Sequence, residues 1–209
     1  MKKLIVANWK MSPPTLIEAE QILDSVDEYL GSLEGEEFSL VFCPPFVFTE
    51  EVGKILKTSH LLHQAELGIQ DISIDDNTAL TGEVSGSILQ KLGARYVIIV
   101  HSERRWKLGE SDDVVNKKLK TALRNEFVPI VCIGERTRDD NFSEFIKEQT
   151  WNTFVGLTSD EISRCIIAYE PVWAISTNPN AHPDTPDSAI KSVNMIRDAL
   201  NSKFKIQNS

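Results

Sequence analysis

Six short runs of β-branched and aliphatic residues, each followed by a stretch of helical periodicity, constrain the fold of this chain more than any other feature. The runs are Leu4–Ala7, Leu40–Cys43, one within His60–Ile69, Tyr96–Val100, Val128–Ile133 and Cys165–Tyr169. They are continuously apolar rather than alternating, so both faces of each strand are expected to be covered. Strands of that kind, separated by helices, point to an α/β fold with a parallel sheet clothed by helices.

The intervening stretches carry their own punctuation. The first helix is expected to open at Ser12-Pro13-Pro14, with Ser12 as its N-cap and Pro13 at the first helical position, where a missing N–H is no loss. Leu16, Ala19, Leu23, Val26 and Leu30 then recur at helical spacing until Gly31 ends the run. Thr49 is expected to cap a second helix carrying Val52, Ile55 and Leu56. Others are expected over Val84–Leu92, from Ser111 with Val114, Val115, Leu119 and Leu123 on one face, and within Asn141–Val155. The last opens at Thr185-Pro186, with Ile190, Val193, Ile196 and Leu200 facing inward. No linker, low-complexity tract or charge block interrupts the chain, so residues 1–209 are expected to form a single domain.

Composition excludes some functions. The net charge of −9 disfavours nucleic acid and anionic membrane as partners. Cys43, Cys132 and Cys165 lie in or beside apolar runs without a C-x-x-C, which reads as buried, reduced thiols. The apolar run behind Met1-Lys2-Lys3 ends at Ala7, so neither export nor membrane insertion is expected, and the location is expected to be cytoplasmic. No H-E-x-x-H, phosphate-loop or G-x-G-x-x-G motif occurs, so neither metal nor nucleotide chemistry is expected.

Three strand ends carry ionisable side chains. They are Lys10 in Asn8-Trp9-Lys10, His101 in Val100-His101-Ser102-Glu103-Arg104-Arg105, and Glu170 in Ala168-Tyr169-Glu170-Pro171-Val172-Trp173-Ala174. A lysine, a neutral imidazole and a carboxylate above one sheet suit proton abstraction beside a carbonyl: the carboxylate takes the proton and the donors meet the charge that develops on oxygen. Each also has a plain structural reading taken alone, as a surface lysine, a satisfied histidine or a solvated carboxylate. His60, His63 and His182 have no comparable context and receive no role.

Several motifs taken together resemble the triosephosphate isomerase family: Asn8-Trp9-Lys10-Met11, Cys43-Pro44-Pro45-Phe46, Leu80-Thr81-Gly82-Glu83, His101 to Arg105, Leu108-Gly109-Glu110-Ser111, Cys132-Ile133-Gly134-Glu135 and Ala168 to Ile175. They fall in the family's order along nearly the whole chain. The resemblance implies a TIM (β/α)8-type barrel with six βα units present and the last two lacking. It also implies a glycolytic and gluconeogenic isomerase that interconverts dihydroxyacetone phosphate and D-glyceraldehyde 3-phosphate through an enediolate, without a cofactor. Glu170 would be the base and His101 the neutral electrophile, a division of labour known for the family and not read from spacing. Lys10 would supply positive charge to the oxyanion and the phosphate, Asn8 would hold the constellation, and Glu103 would pair with Lys10.

Pro171 to Thr177 matches the family's mobile lid, with Ser176 in place of a glycine whose N–H touches the phosphate. Asn178 to Asp184 is longer than usual and reads as an inserted turn, and Val100 stands where relatives have glycine. Thr81 to Ser85 resembles the loop that docks into a second subunit, where Glu83 could meet Arg104, which implies a homodimer. A seventh strand would begin at Lys205–Ser209, and the glycine-rich phosphate segments that follow strands seven and eight are not found. An incomplete barrel is therefore expected: a truncated form of a full isomerase, a split enzyme completed by a second polypeptide, or an inactive remnant. Strands one and six would then present open edges.

Overall fold

The computed structural model describes residues 3–30, 38–59 and 61–206. Gly31, His60 and residues 207–209, which bear on the end of the first helix, an unassigned histidine and the expected seventh strand, lie outside the described residues. The elements run β1 (Lys3–Asn8), α1 (Leu16–Leu30), β2 (Phe38–Cys43), α2 (Thr49–Thr58), β3 (Glu66–Ile69), α3 (Gly86–Lys91), β4 (Tyr96–Ile99), α4 (Ser102–Lys107), α5 (Asp112–Arg124), β5 (Val128–Ile133), α6 (Phe142–Thr153), α7 (Ser159–Ser163), β6 (Ile166–Tyr169) and α8 (Pro186–Phe204). This is the expected α/β class, with six βα units of the barrel type.

The chain forms two compact units. The first comprises residues up to Ile98 together with Arg124–Phe127. In it β1 pairs parallel with β2 from Lys3↔Phe38 to Asn8↔Cys43, β2 with β3 at Val41↔Glu66, and β3 with β4 at Gly68↔Tyr96. Its core is Ala19, Leu23, Val41, Val52, Ile69 and Val97, all fully buried. The second unit comprises Ile99–Leu123 and the chain from Val128 onward. There β5 pairs parallel with β6 from Ile130↔Ile166 to Ile133↔Tyr169. Val115, Leu119, Val131, Ile133, Ile146 and Phe154 are sealed from solvent in it.

Three expectations about helices need correction. α1 opens at Thr15, not Ser12: the Thr15 hydroxyl accepts the Glu18 N–H at 3.3 Å and donates to Glu18 Oε1 at 3.0 Å. The physical reason is that Pro13 itself precedes a proline, Pro14, and is driven out of the helical region, so it cannot be the first helical residue that a cap at Ser12 requires. Thr49 is the first residue of α2 rather than its cap, and its hydroxyl donates to the Pro45 carbonyl at 3.4 Å.

α8 does open as expected, the Thr185 hydroxyl accepting the Ser188 N–H at 3.3 Å with Pro186 in the first turn. Ile196 and Leu200 are buried, but Ile190 and Val193 are 58% and 38% exposed, and Ser192 and Ala199 face inward. The N-terminal half of α8 is turned by hydrogen bonds from Arg138 to the Ser188 and Ser192 hydroxyls. Two short helices, α4 and α7, are additions to the expected set, and α7 opens with a reciprocal capping box between Thr158 and Glu161.

Candidate active site

The end of β4 sets the imidazole. Val100, fully buried, turns the chain with a φ of 56°, a left-handed conformation that is unusual for a β-branched residue. His101 follows as the N-cap of α4 and accepts the peptide N–H of Glu103 on Nδ1 at 3.3 Å. A ring nitrogen that accepts cannot carry the proton, so this bond places the hydrogen on Nε2. Nε2 lies 2.6 Å from Glu170 Oε1. Glu103 stays close, its Oε2 3.3 Å from Nδ1 and its Oε1 3.7 Å from Lys107 Nζ.

Glu170 is placed by the sheet. Its N–H donates to the Ile133 carbonyl at 2.8 Å, continuing the β5–β6 ladder past Tyr169, and its Oε2 accepts the Ser102 N–H at 2.9 Å. The side chains of His101 and Glu170 are 13% and 19% exposed. Gly134 makes the approach of the two strand ends feasible: a Cβ there would lie 2.0 Å from the Glu170 carbonyl oxygen.

Beyond Glu170 the chain forms a single 3-10 turn over Val172–Ala174. Trp173 Nε1 donates to Glu135 Oε1 at 2.9 Å, and the Val172 N–H donates to the Glu135 carbonyl at 2.9 Å. Glu135 is 1% exposed, and its carboxylate also accepts from Arg138 at 2.6 Å and from the Tyr169 hydroxyl at 2.9 Å. Burial, reinforced by Glu135 and opposed by a bond from Ser192, pushes the Tyr169 phenol up to about 12. Ser176 follows in an exposed turn. The sequence reading missed this buried carboxylate, although Glu135 lies within the Cys132-Ile133-Gly134-Glu135 motif.

The first unit holds the other expected site residues. Asn8 closes β1 and accepts the Lys10 N–H on Oδ1 at 3.0 Å, and Lys10 has a φ of 55°. Gln70, which the sequence reading did not single out, donates to the carbonyls of Lys10 at 2.8 Å and Cys43 at 2.9 Å. It ties the Lys10 backbone to the end of β2. Its position directly after β3 was the available signal. Thr81, Gly82 and Glu83 form an exposed turn. In the second unit Arg104 binds Glu110 of its own chain, Nε to Oε1 at 2.7 Å, with Lys118 Nζ also 2.6 Å from that oxygen. Cys43 is fully buried, and burial raises all three thiols, Cys43 and Cys165 to about 12.

Among the described residues no group of three or more His, Cys, Asp or Glu could hold a metal ion, and no helix is long and apolar enough to cross a membrane. Six βα units with an imidazole and a carboxylate in contact just beyond the C-terminal ends of parallel strands define an α/β barrel-type enzyme. A family model described as triosephosphate isomerase matches residues 3–208. Proteins named triosephosphate isomerase are 35% identical in a Thermoanaerobacter species over 98% of this chain and 80% of that protein, and 35% identical in Caldanaerobacter subterraneus over 99% and 81%. Another, from Moorella thermoacetica, is 37% identical over 97% of this chain and 78% of its own length. The chain belongs to the triosephosphate isomerase family.

Proposed function

We propose that this chain interconverts dihydroxyacetone phosphate and D-glyceraldehyde 3-phosphate by moving a proton between adjacent carbons through an enediolate. One observation carries the reading: Glu170 Oε1 lies 2.6 Å from His101 Nε2, while the other ring nitrogen, Nδ1, accepts the Glu103 N–H. Glu170 removes the proton from the carbon beside the carbonyl. His101, donating from Nε2, stabilises the oxygen on which charge develops.

By the family resemblance we assign Lys10 the supply of positive charge to the oxyanion and the phosphate; Asn8 holds the Lys10 backbone, and Glu103, with Oε2 3.3 Å from His101 Nδ1, is assigned a supporting role beside the imidazole. The Ser176 N–H meets the phosphate from the lid, and Pro171 to Thr177 covers the intermediate and excludes water. We read the two units as parts of one barrel-type domain, acting without a cofactor. We also infer a homodimer formed through Thr81 to Ser85, where Thr81 to Glu83 are exposed, and a cytoplasmic location. A second reading, a barrel fragment that works only with a further polypeptide, draws on the exposed Ile190 and Val193 of α8.

A coupled assay with glyceraldehyde 3-phosphate tests both. Glu170→Ala is expected to lower turnover by at least about 10² with unfolding unchanged, the usual weight of a general base. Turnover that appears only when a peptide supplying two further strands is added supports the second reading. No turnover in either case, from a folded chain, overturns the isomerase assignment.

A further inference from the structure

The turn Asn178–Asp184 folds back onto the segment that precedes it. Asn178 Nδ2 donates to the Val172 carbonyl at 2.7 Å, the Ala181 N–H to the Asn178 carbonyl at 3.2 Å, and the His182 N–H to the Trp173 carbonyl at 3.3 Å. The His182 ring then lies against the Trp173 indole, with centroids 4.7 Å apart and planes at 36°. Trp173 is thus held on several sides: by Glu135 at its ring N–H, by the Arg138 guanidinium 5.7 Å from its centroid, and by His182. His182 is itself exposed, so no core packing dictates its position.

We propose that His182 is a positioning residue for the lid: its ring, stacked on Trp173, keeps the indole seated on Glu135 and so sets how readily the segment after Glu170 opens. This rests on the proposed reading of Pro171 to Thr177 as a lid. The turn Asn178–Asp184 supplies both the ring and a backbone donor to the same residue. An aromatic pair of this kind shifts a local opening equilibrium by about three- to tenfold.

The test uses the full chain labelled with 5-fluorotryptophan, whose four tryptophans give four fluorine resonances, Trp173 being assigned by its loss in Trp173→Phe. His182→Ala is expected to move the Trp173 resonance and to speed exchange of its indole N–H about three- to tenfold. The lines of Trp9, Trp106 and Trp151 should stay in place. His182→Phe, which keeps a stackable ring, should restore both readouts. The proposal is overturned if His182→Ala leaves Trp173 unmoved, if it disturbs all four residues alike, or if phenylalanine fails to restore the wild-type signal. No turnover is needed, so a folded but inactive chain would defeat the isomerase reading and leave this result standing.

Discussion

The Glu170 carboxylate is tied to Ser102 by a 2.9 Å bond from the Ser102 peptide N–H, across 68 residues of sequence. The donor is a backbone group at the first position of α4, so no Ser102 side chain is required for it. A hydrogen bond to a charged acceptor contributes about 1.5–3 kcal/mol.

Ser102→Pro therefore isolates that bond. Proline suits the first helical position, and His101 already has the extended backbone, φ −48° and ψ 144°, that a residue before proline favours. The helix is expected to survive while Glu170 loses one of its two restraints. Turnover should fall about tenfold or more with the thermal midpoint little changed. Unaltered turnover would show that the bond does not position the base.

Gly134→Ala should be far more damaging than its size suggests. The added methyl would meet the Glu170 carbonyl carbon at 2.4 Å and the Pro171 nitrogen at 3.0 Å, all backbone atoms with no rotamer to escape into. A loss of about 1–3 kcal/mol is expected, the usual range for overpacking. Turnover should fall with it, because the strand end that carries Glu170 must shift. Denaturant unfolding and the coupled assay on one preparation check both.

Glu135→Gln keeps the shape of a buried side chain but removes the charge that faces Arg138. One amide oxygen would then serve Arg138, Tyr169 and Trp173, and the amide NH2 would face donors. Arg138 stays partly exposed, so solvent takes up part of the loss. A destabilisation of about 2 kcal/mol is expected, with faster exchange at the Trp173 indole N–H. Stability within about 0.5 kcal/mol of wild type would remove the network from any structural role.

Alkaline pH should weaken the fold. Cys43 and Cys165 hold their protons to about 12 in the folded chain, against 9.0 for a free thiol, and Tyr169 holds its own to about 12 against 10.0. Between those limits the native state binds more protons than the unfolded state, so stability falls as pH rises. Their contribution is complete below pH 9 and is lost progressively towards pH 12. The urea midpoint should drop between pH 8 and pH 10.5, and the native thiols should resist a thiol reagent at pH 8. A flat midpoint over that range would refute the linkage.

The strands were legible because a buried parallel strand must be apolar throughout, and β5 begins at Val128 and ends at Ile133 as its sequence suggested. Thr185-Pro186 likewise marked the start of α8, where a hydroxyl cap precedes a proline and Asp187 and Ser188 continue the first turn; Ser12-Pro13 misled because a second proline follows. What escaped was whatever depends on partners distant in sequence. The inward face of α8 was misjudged because Ser188 and Ser192 answer to Arg138, which lies 50 and 54 residues earlier. Glu135 gave no periodic signal, being a single carboxylate after a strand. His182 was passed over for the same reason: its partner Trp173 sits across a turn that spacing alone does not reveal.

Val100 holds its left-handed turn although the backbone conformation disfavours a branched side chain by roughly 1–3 kcal/mol. Surrounding atoms therefore impose the bend that points His101 towards Glu170, and local preference works against it. The aim of the imidazole is thus inherited from the packing around a valine that touches no reactant. A substitution that merely loosens this neighbourhood would let the peptide relax and swing the ring off target, so harm to catalysis could begin in the hydrophobic interior.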